Sequence, residues 1–141
     1  MGGETIFQLF LATILGALIG LEREWKKKEA GIQTYSLVTL GACLFTVLVF
    51  SFSLNNPLIK VDISRVIQAV AVGMGFIGAG TIIFYQDKIK GLTTAAGLWT
   101  SSGIGISIGA KYYLLGIVST GIVLLIFTVF GVLERKIVKS E

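Results

Sequence analysis

In a largely apolar chain, two short runs hold the acidic and basic residues whose spacing could do chemistry. The first is Glu22-Arg23-Glu24, between Gly20-Leu21 and Trp25. Charge at membrane depth is costly, so such a run either snorkels and pairs at the interface or admits a cation or proton from that side. The second is Asp62, with Arg65 three residues later and Gln68 three later again. On a helix this spacing puts all three on one face, and the helix dipole favours Asp62 at the start. The bland use is a cap plus an ion pair; the sharper one is a polar mouth on the outer side. Asp62 is the candidate metal ligand, and Mg²⁺ the ion weighed for it, because Mg²⁺ is held through one or two carboxylates with retained waters. No carboxylate cluster within a helix completes such a site, and no cofactor is expected.

Other chemistries find little support. The chain has no His, which removes the commonest general base and transition-metal ligand. The lone Cys43 cannot form an intrachain disulfide. No nucleophile–base pair is visible, so an enzyme is not expected. There is no P-loop. Gly73-Met74-Gly75-Phe76-Ile77-Gly78 matches G-x-G-x-x-G. A dinucleotide site needs that pattern in a βαβ unit with an acid about 20 residues on; Asp87 is too near and the flanks are apolar. The net charge of +4 comes from short basic flanks to apolar segments, so nucleic acid is not an expected partner.

The elements that position these groups belong in a lipid bilayer. Of 141 residues, 54% are hydrophobic and 14% charged, against about 25% charged in soluble domains. A spanning helix takes about 20 apolar residues. Segments near 5–21, 35–52, 66–85, 92–110 and 112–133 fit, which predicts an all-α, polytopic membrane protein, one domain over 1–141, with about five helices. The first segment lacks a signal-peptide n-region and cleavage site, so it is expected to remain as a helix. The fourth is rich in Ser and Thr and should be surrounded by other helices; a re-entrant segment is its alternative. With five crossings, nine of the twelve Lys and Arg fall on one side: Arg23, Lys26, Lys27, Lys28, Lys88, Lys90, Arg135, Lys136 and Lys139. Basic flanks favour the cytoplasm, which predicts the N-terminus outside and the C-terminus inside. Trp25, Tyr35, Tyr85, Tyr112 and Tyr113 fall near expected interfaces, where aromatic anchors settle. Pro57 after Asn55-Asn56 reads as an external turn.

Small residues repeat every four positions: Ala12, Gly16, Gly20; Ala71, Gly75, Ala79; and Gly97, Ser101, Gly105, Gly109. Such stripes let membrane helices approach closely. They serve either packing within the chain or a homodimer seam. Gly73, Gly75, Gly78 and Gly80 further suggest a thin third helix, open to a break of the kind that forms transporter sites. The expected inner bundle is the first, third and fourth helices, with the second and fifth facing lipid.

Several blocks, taken in order, resemble the MgtC/SapB family. Gly20 to Glu24, then Ala30-Gly31-Ile32-Gln33-Thr34 through Leu37-Val38 and Gly41-Ala42, resemble its first block. Asp62 to Gln68 with Gly73 to Gly80 resemble the second, and Gly91 through Thr94 and Gly97 to Trp99, with Gly103 and Gly105, the third. The resemblance covers about residues 16–110. It implies a bacterial inner-membrane protein of about five helices, linked to magnesium limitation, to intracellular survival of pathogens and to restraint of the F-type ATP synthase. It also brings Thr94 and Trp99 among the candidate functional residues. A magnesium or other cation transporter is the alternative role. Gln33 stands where the family pattern has Arg, and the chain ends after the fifth helix, without the soluble C-terminal domain many members carry.

Overall fold

The computed structural model describes residues 2–55, 62–85 and 88–133. The Asn56-Pro57 turn, Lys60, Asp87 and the basic residues Arg135, Lys136 and Lys139 lie outside them. The described residues are mostly helical, with α1 (Gly2–Trp25), α2 (Ile32–Asn55), α3 (Ile63–Ala79), α4 (Leu92–Gly109) and α5 (Tyr113–Leu125). A hairpin of β1 (Ile83–Tyr85) and β2 (Lys88–Lys90) joins α3 to α4, and α5 continues into a π-helical turn, Ile126–Phe130.

Three helices, Gly2–Trp25, Ile32–Asn55 and Tyr113–Leu133, are long and apolar enough to cross a membrane. α3, at 17 residues, spans only about 25 Å. α4 has 18 residues, and half of them are buried, including Thr94, Ser101 and Ser102. Those three hydroxyls therefore sit against protein, with Ser102 donating to the Trp99 carbonyl at 2.7 Å, whereas Thr93 and Thr100 are exposed and the Thr100 hydroxyl donates to the Ala96 carbonyl of its own helix at 2.9 Å. The expected burial of the fourth helix is what the structure has.

The core is α1, α2 and α4. A Cβ at Gly16 would lie 2.6 Å from Thr39 Oγ1 and from the Tyr35 carbonyl, and one at Gly20 2.6 Å from Ile32 Cα. A Cβ at Gly105 would meet the Thr39 carbonyl, and one at Gly109 the Thr46 side chain at 2.7 Å. Thus α1 runs antiparallel to α2 while α4 runs parallel to it, and two glycine stripes are spent on backbone contact inside the chain.

This corrects the expected inner bundle. α2 is central, and α3 lies outside, with only Met74 and Gly78 buried. The reason is that α2 turns mainly small and polar residues inward (Thr39, Ala42, Cys43, Thr46), with Tyr35 and Val47 beside them, and most of its bulky ones outward (Leu37, Phe45, Leu48, Phe52). In lipid that inside-out arrangement costs nothing, because acyl chains are as apolar as a core. The α3 stripe is open: a Cβ at Gly75 would meet nothing within 4 Å.

α3 is also continuous over Ile63–Ala79, so it ends well before Tyr85, the expected boundary. Two features end it. Ile82 to Tyr85 is β-branched and aromatic, which suits a strand, and Ile83 pairs with Lys90, Phe84 with Ile89 and Tyr85 with Lys88. Gly91 closes the hairpin at φ +83°, where any Cβ would strike the Thr81 carbonyl. The Lys90 ammonium lies 4.9 Å from the Tyr85 ring centre, within cation–π range.

Candidate functional site

The polar groups converge where the C-terminal ends of α1 and α5 meet the N-terminal ends of α2 and α4. Glu22 and Arg23, on the last turn of α1, are 8% and 3% exposed. They are therefore buried, so their charges do not snorkel out to water, but they are paired as that reading of the run expects. Arg23 pairs with Glu22 at 3.5 Å, and its guanidinium lies 4.1 Å from the centre of the Phe127 ring. Lys26, one turn on, pairs with Glu22 and donates to the Phe127 carbonyl. The π-helical turn explains how one residue serves both partners, since its wider winding displaces carbonyls from the regular ladder.

Glu24 has a different task. It is exposed, and its Oε2 accepts from Ile32 N–H at 2.9 Å. It caps α2, where a carboxylate also meets the positive end of the helix dipole. Lys27 closes α1 at φ 52°, and Lys28 N–H reaches back to the Arg23 carbonyl at 3.0 Å, the bonding of a Schellman turn.

Thr94, in the first turn of α4, is buried and donates to Glu29 Oε2 at 2.7 Å. That bond, with one from the backbone, holds the Glu29 carboxyl below its ordinary value of 4.5. The Tyr35 hydroxyl donates to the Thr94 carbonyl at 3.4 Å. Tyr35 is fully buried, so it is no interfacial anchor; Gly97 leaves the space for it, since a Cβ there would lie 2.5 Å from the Tyr35 hydroxyl and 2.6 Å from the Phe127 ring. Trp25, Tyr85 and Tyr112 are exposed, as anchors would be. Ser101, one turn past Gly97, is buried with its Oγ unpartnered among the described residues, as is Arg23 Nε.

The remaining candidates stand apart. Trp99 is 55% exposed on the outer side of α4. Asp62 caps α3: its Oδ1 accepts from Ser64 N–H at 2.9 Å and Ser64 Oγ at 2.6 Å, and these bonds hold its carboxyl below the ordinary 3.8. Arg65 Nε lies 3.9 Å from Oδ2. Asp62 and Arg65 line a groove between α2 and α3 that Gln68 does not reach, so the three do not form one polar mouth. Among the described residues, no group of three or more His, Cys, Asp or Glu is placed to hold a metal.

Sequence reasoning missed Glu29, Phe127 and Gln8. Gln8 is buried and donates to the Ile108 and Gly109 carbonyls at 2.9 Å, closing the C-terminal end of α4. A lone amide in an apolar run was its only signal; Phe127 had none.

The sequence that builds these elements has counterparts among known proteins. The MgtC family model matches residues 9–136. The chain belongs to the MgtC family. It is 38% identical over 144 residues to "Putative magnesium transporter YhiD" of Escherichia coli (strain K12), covering 100% of this chain and 67% of that protein. It is 36% identical over 138 residues to protein SrpB of Synechococcus elongatus, covering 92% and 76%. It is 38% identical over 119 residues to protein MgtC of Salmonella typhimurium, covering 84% and 49%. The chain thus spans about half the length of that MgtC. No solved structure matches it. With three long apolar helices and this family, it is a membrane protein.

Proposed function

We propose that this MgtC-family chain is a non-catalytic inner-membrane protein of adaptation to low magnesium, acting by binding other membrane proteins rather than by moving ions. Its N-terminus lies outside and its C-terminus in the cytoplasm. The partner class that the family resemblance suggests is the F-type ATP synthase. The observation that carries this reading is how the interior is used. Gly16, Gly20, Gly105 and Gly109 bring backbones of α1, α2 and α4 into contact, and Glu22, Arg23 and Lys26 are paired with one another and with Phe127. The large groove lies on the surface, between α2 and α3. Of the three small-residue faces, that of α3 is open to a second copy or another helix.

A cation transporter is the second reading. The name of YhiD speaks for it, and so do the buried, unpartnered Arg23 Nε and Ser101 Oγ, because ionisable groups inside a membrane commonly mark ion or proton paths.

Purified protein in liposomes separates the two. The expected result is Mg²⁺ and proton flux no greater than in empty liposomes, together with co-purification of the ATP synthase from native membranes. Flux that disappears in Glu22→Gln or Arg23→Gln would overturn the regulator.

A further inference from the structure

α3 leans on α4 and stands off from α2, which leaves an open groove of about 1130 Å³ between α2 and α3. Its walls are apolar along most of their length, with Val38 and Phe45 on α2 facing Val70 and Met74 on α3. Gly41 and Gly73 lie on opposite walls, and a Cβ at either would meet nothing within 4 Å. The groove has width to spare for a guest.

One end of this slot is chemically different. Asp62 and Arg65 line it, and both are exposed. Asp62 Oδ1 is occupied by Ser64, but Oδ2 lies 3.9 Å from Arg65 Nε, beyond hydrogen-bond range. Exposed pairs of this kind hold each other weakly. An anion and a cation therefore stand side by side at the mouth, each with bonding capacity left.

The complement is an amphiphile whose head carries both charges. We propose that the α2–α3 groove binds a phospholipid with a primary-amine, zwitterionic headgroup, its phosphate on Arg65, its ammonium on Asp62 Oδ2 and its acyl chains along the apolar walls. A guanidinium matches the fork of a phosphate. A primary ammonium brings three N–H donors to the carboxylate, as a lysine does, whereas a quaternary ammonium brings none. A purely anionic head sets no cation against Asp62. The site thus discriminates among lipids by headgroup, and it does so whichever membrane protein the chain binds.

Native mass spectrometry of the full chain tests this, with phosphatidylethanolamine, phosphatidylcholine and phosphatidylglycerol of matched chains added one at a time. Phosphatidylethanolamine is expected to be retained about tenfold better than phosphatidylcholine, the scale of one charge-assisted hydrogen bond. Asp62→Asn should erase that preference while keeping the helix cap, which Asn supplies as well as Asp. Arg65→Gln should weaken retention of every phospholipid, and Gly73→Trp, by filling the slot, should abolish it. Matched thermal unfolding of these variants ensures that the chain remains folded. Equal retention of all three lipids, or preference for phosphatidylglycerol, overturns the proposal. So does a dimer that cross-links through Gly73→Cys and holds no lipid, which would give the groove to a second copy.

Discussion

Gly105 on α4 and Gly75 on α3 sit in the same kind of four-residue repeat, yet their surroundings are opposite. A Cβ at Gly105 would strike the Thr39 carbonyl, an immovable backbone atom, with Ala42 Cβ 2.9 Å away; at Gly75 it would meet nothing. Gly105→Ala must therefore push α4 from α2, and overpacking of this kind costs about 1–3 kcal/mol. Gly75→Ala should be neutral or gain about 0.5–1 kcal/mol from better helix propensity. Thermal unfolding in mild detergent checks both; equal shifts for the two variants would mean the stripes do not differ in this way. The sequence showed the stripes themselves, because spacing is a property of the chain. It could not show which face inward, because lipid and core are both apolar and leave no polar side to read. Tyr35 illustrates the same blindness: an aromatic residue near a helix end suits an interface, and only the space above Gly97 makes it a core residue. The burial of Glu22 was equally hidden, since Phe127, which takes both of its cationic partners, lies more than 100 residues away.

Among the elements, the helices were legible from their apolar lengths and the end of α3 was not. The apolar run continues past Gly80 through Ile82, Ile83 and Phe84, so hydropathy alone extends the helix, whereas the Gly91 turn and the strand pairing of residues 83–85 with 88–90 end it. The same element is the least secured, with two buried residues in 17 and its first turn held by Asp62. This cap has a pH signature. Its carboxyl titrates below the ordinary 3.8 in the folded chain because Ser64 bonds the charged form. A lowered pKa means the folded state holds its proton less tightly than the unfolded one. The contribution to stability is then complete above the ordinary 3.8 and is lost as the pH falls through the folded value. Acid should accordingly speed amide exchange in the first turn of α3 more in the natural chain than in Asp62→Asn, compared at the same pH so that intrinsic exchange cancels. Exchange that accelerates equally in both would show that the cap does not govern this end.

For the molecule as a whole, the contacts order the ends. Gln8 meets Gly109 and Glu4 pairs with Lys111 at 2.7 Å, so the start of α1 and the α4–α5 turn share one end. Arg23 meets Phe127 and Thr94 meets Glu29, which gathers the α1–α2 turn, the start of α4 and the end of α5 at the other. Gly78 beside Ala95 sets α3 antiparallel to α4, which puts the hairpin at that second end as well. Of the eight Lys and Arg among the described residues, Arg23, Lys26, Lys27, Lys28, Lys88 and Lys90 lie there, and Arg65 and Lys111 at the first. On the proposed topology, the positive-inside bias predicts the hairpin end in the cytoplasm. Single cysteines at Ser64 and Lys88, at opposite ends of α3, make the prediction sharp. In a Cys43→Ala background, an impermeant maleimide added to intact cells should label the cysteine at 64 and leave the one at 88 until the membrane is opened. Cys43 is buried against α4, so even unchanged it would contribute little signal. Labelling of both from outside would refute the alternation of helices. Labelling of 88 alone would keep the alternation but invert the protein, and would place the Glu22-Arg23 cluster at the outer face, away from any cytoplasmic partner.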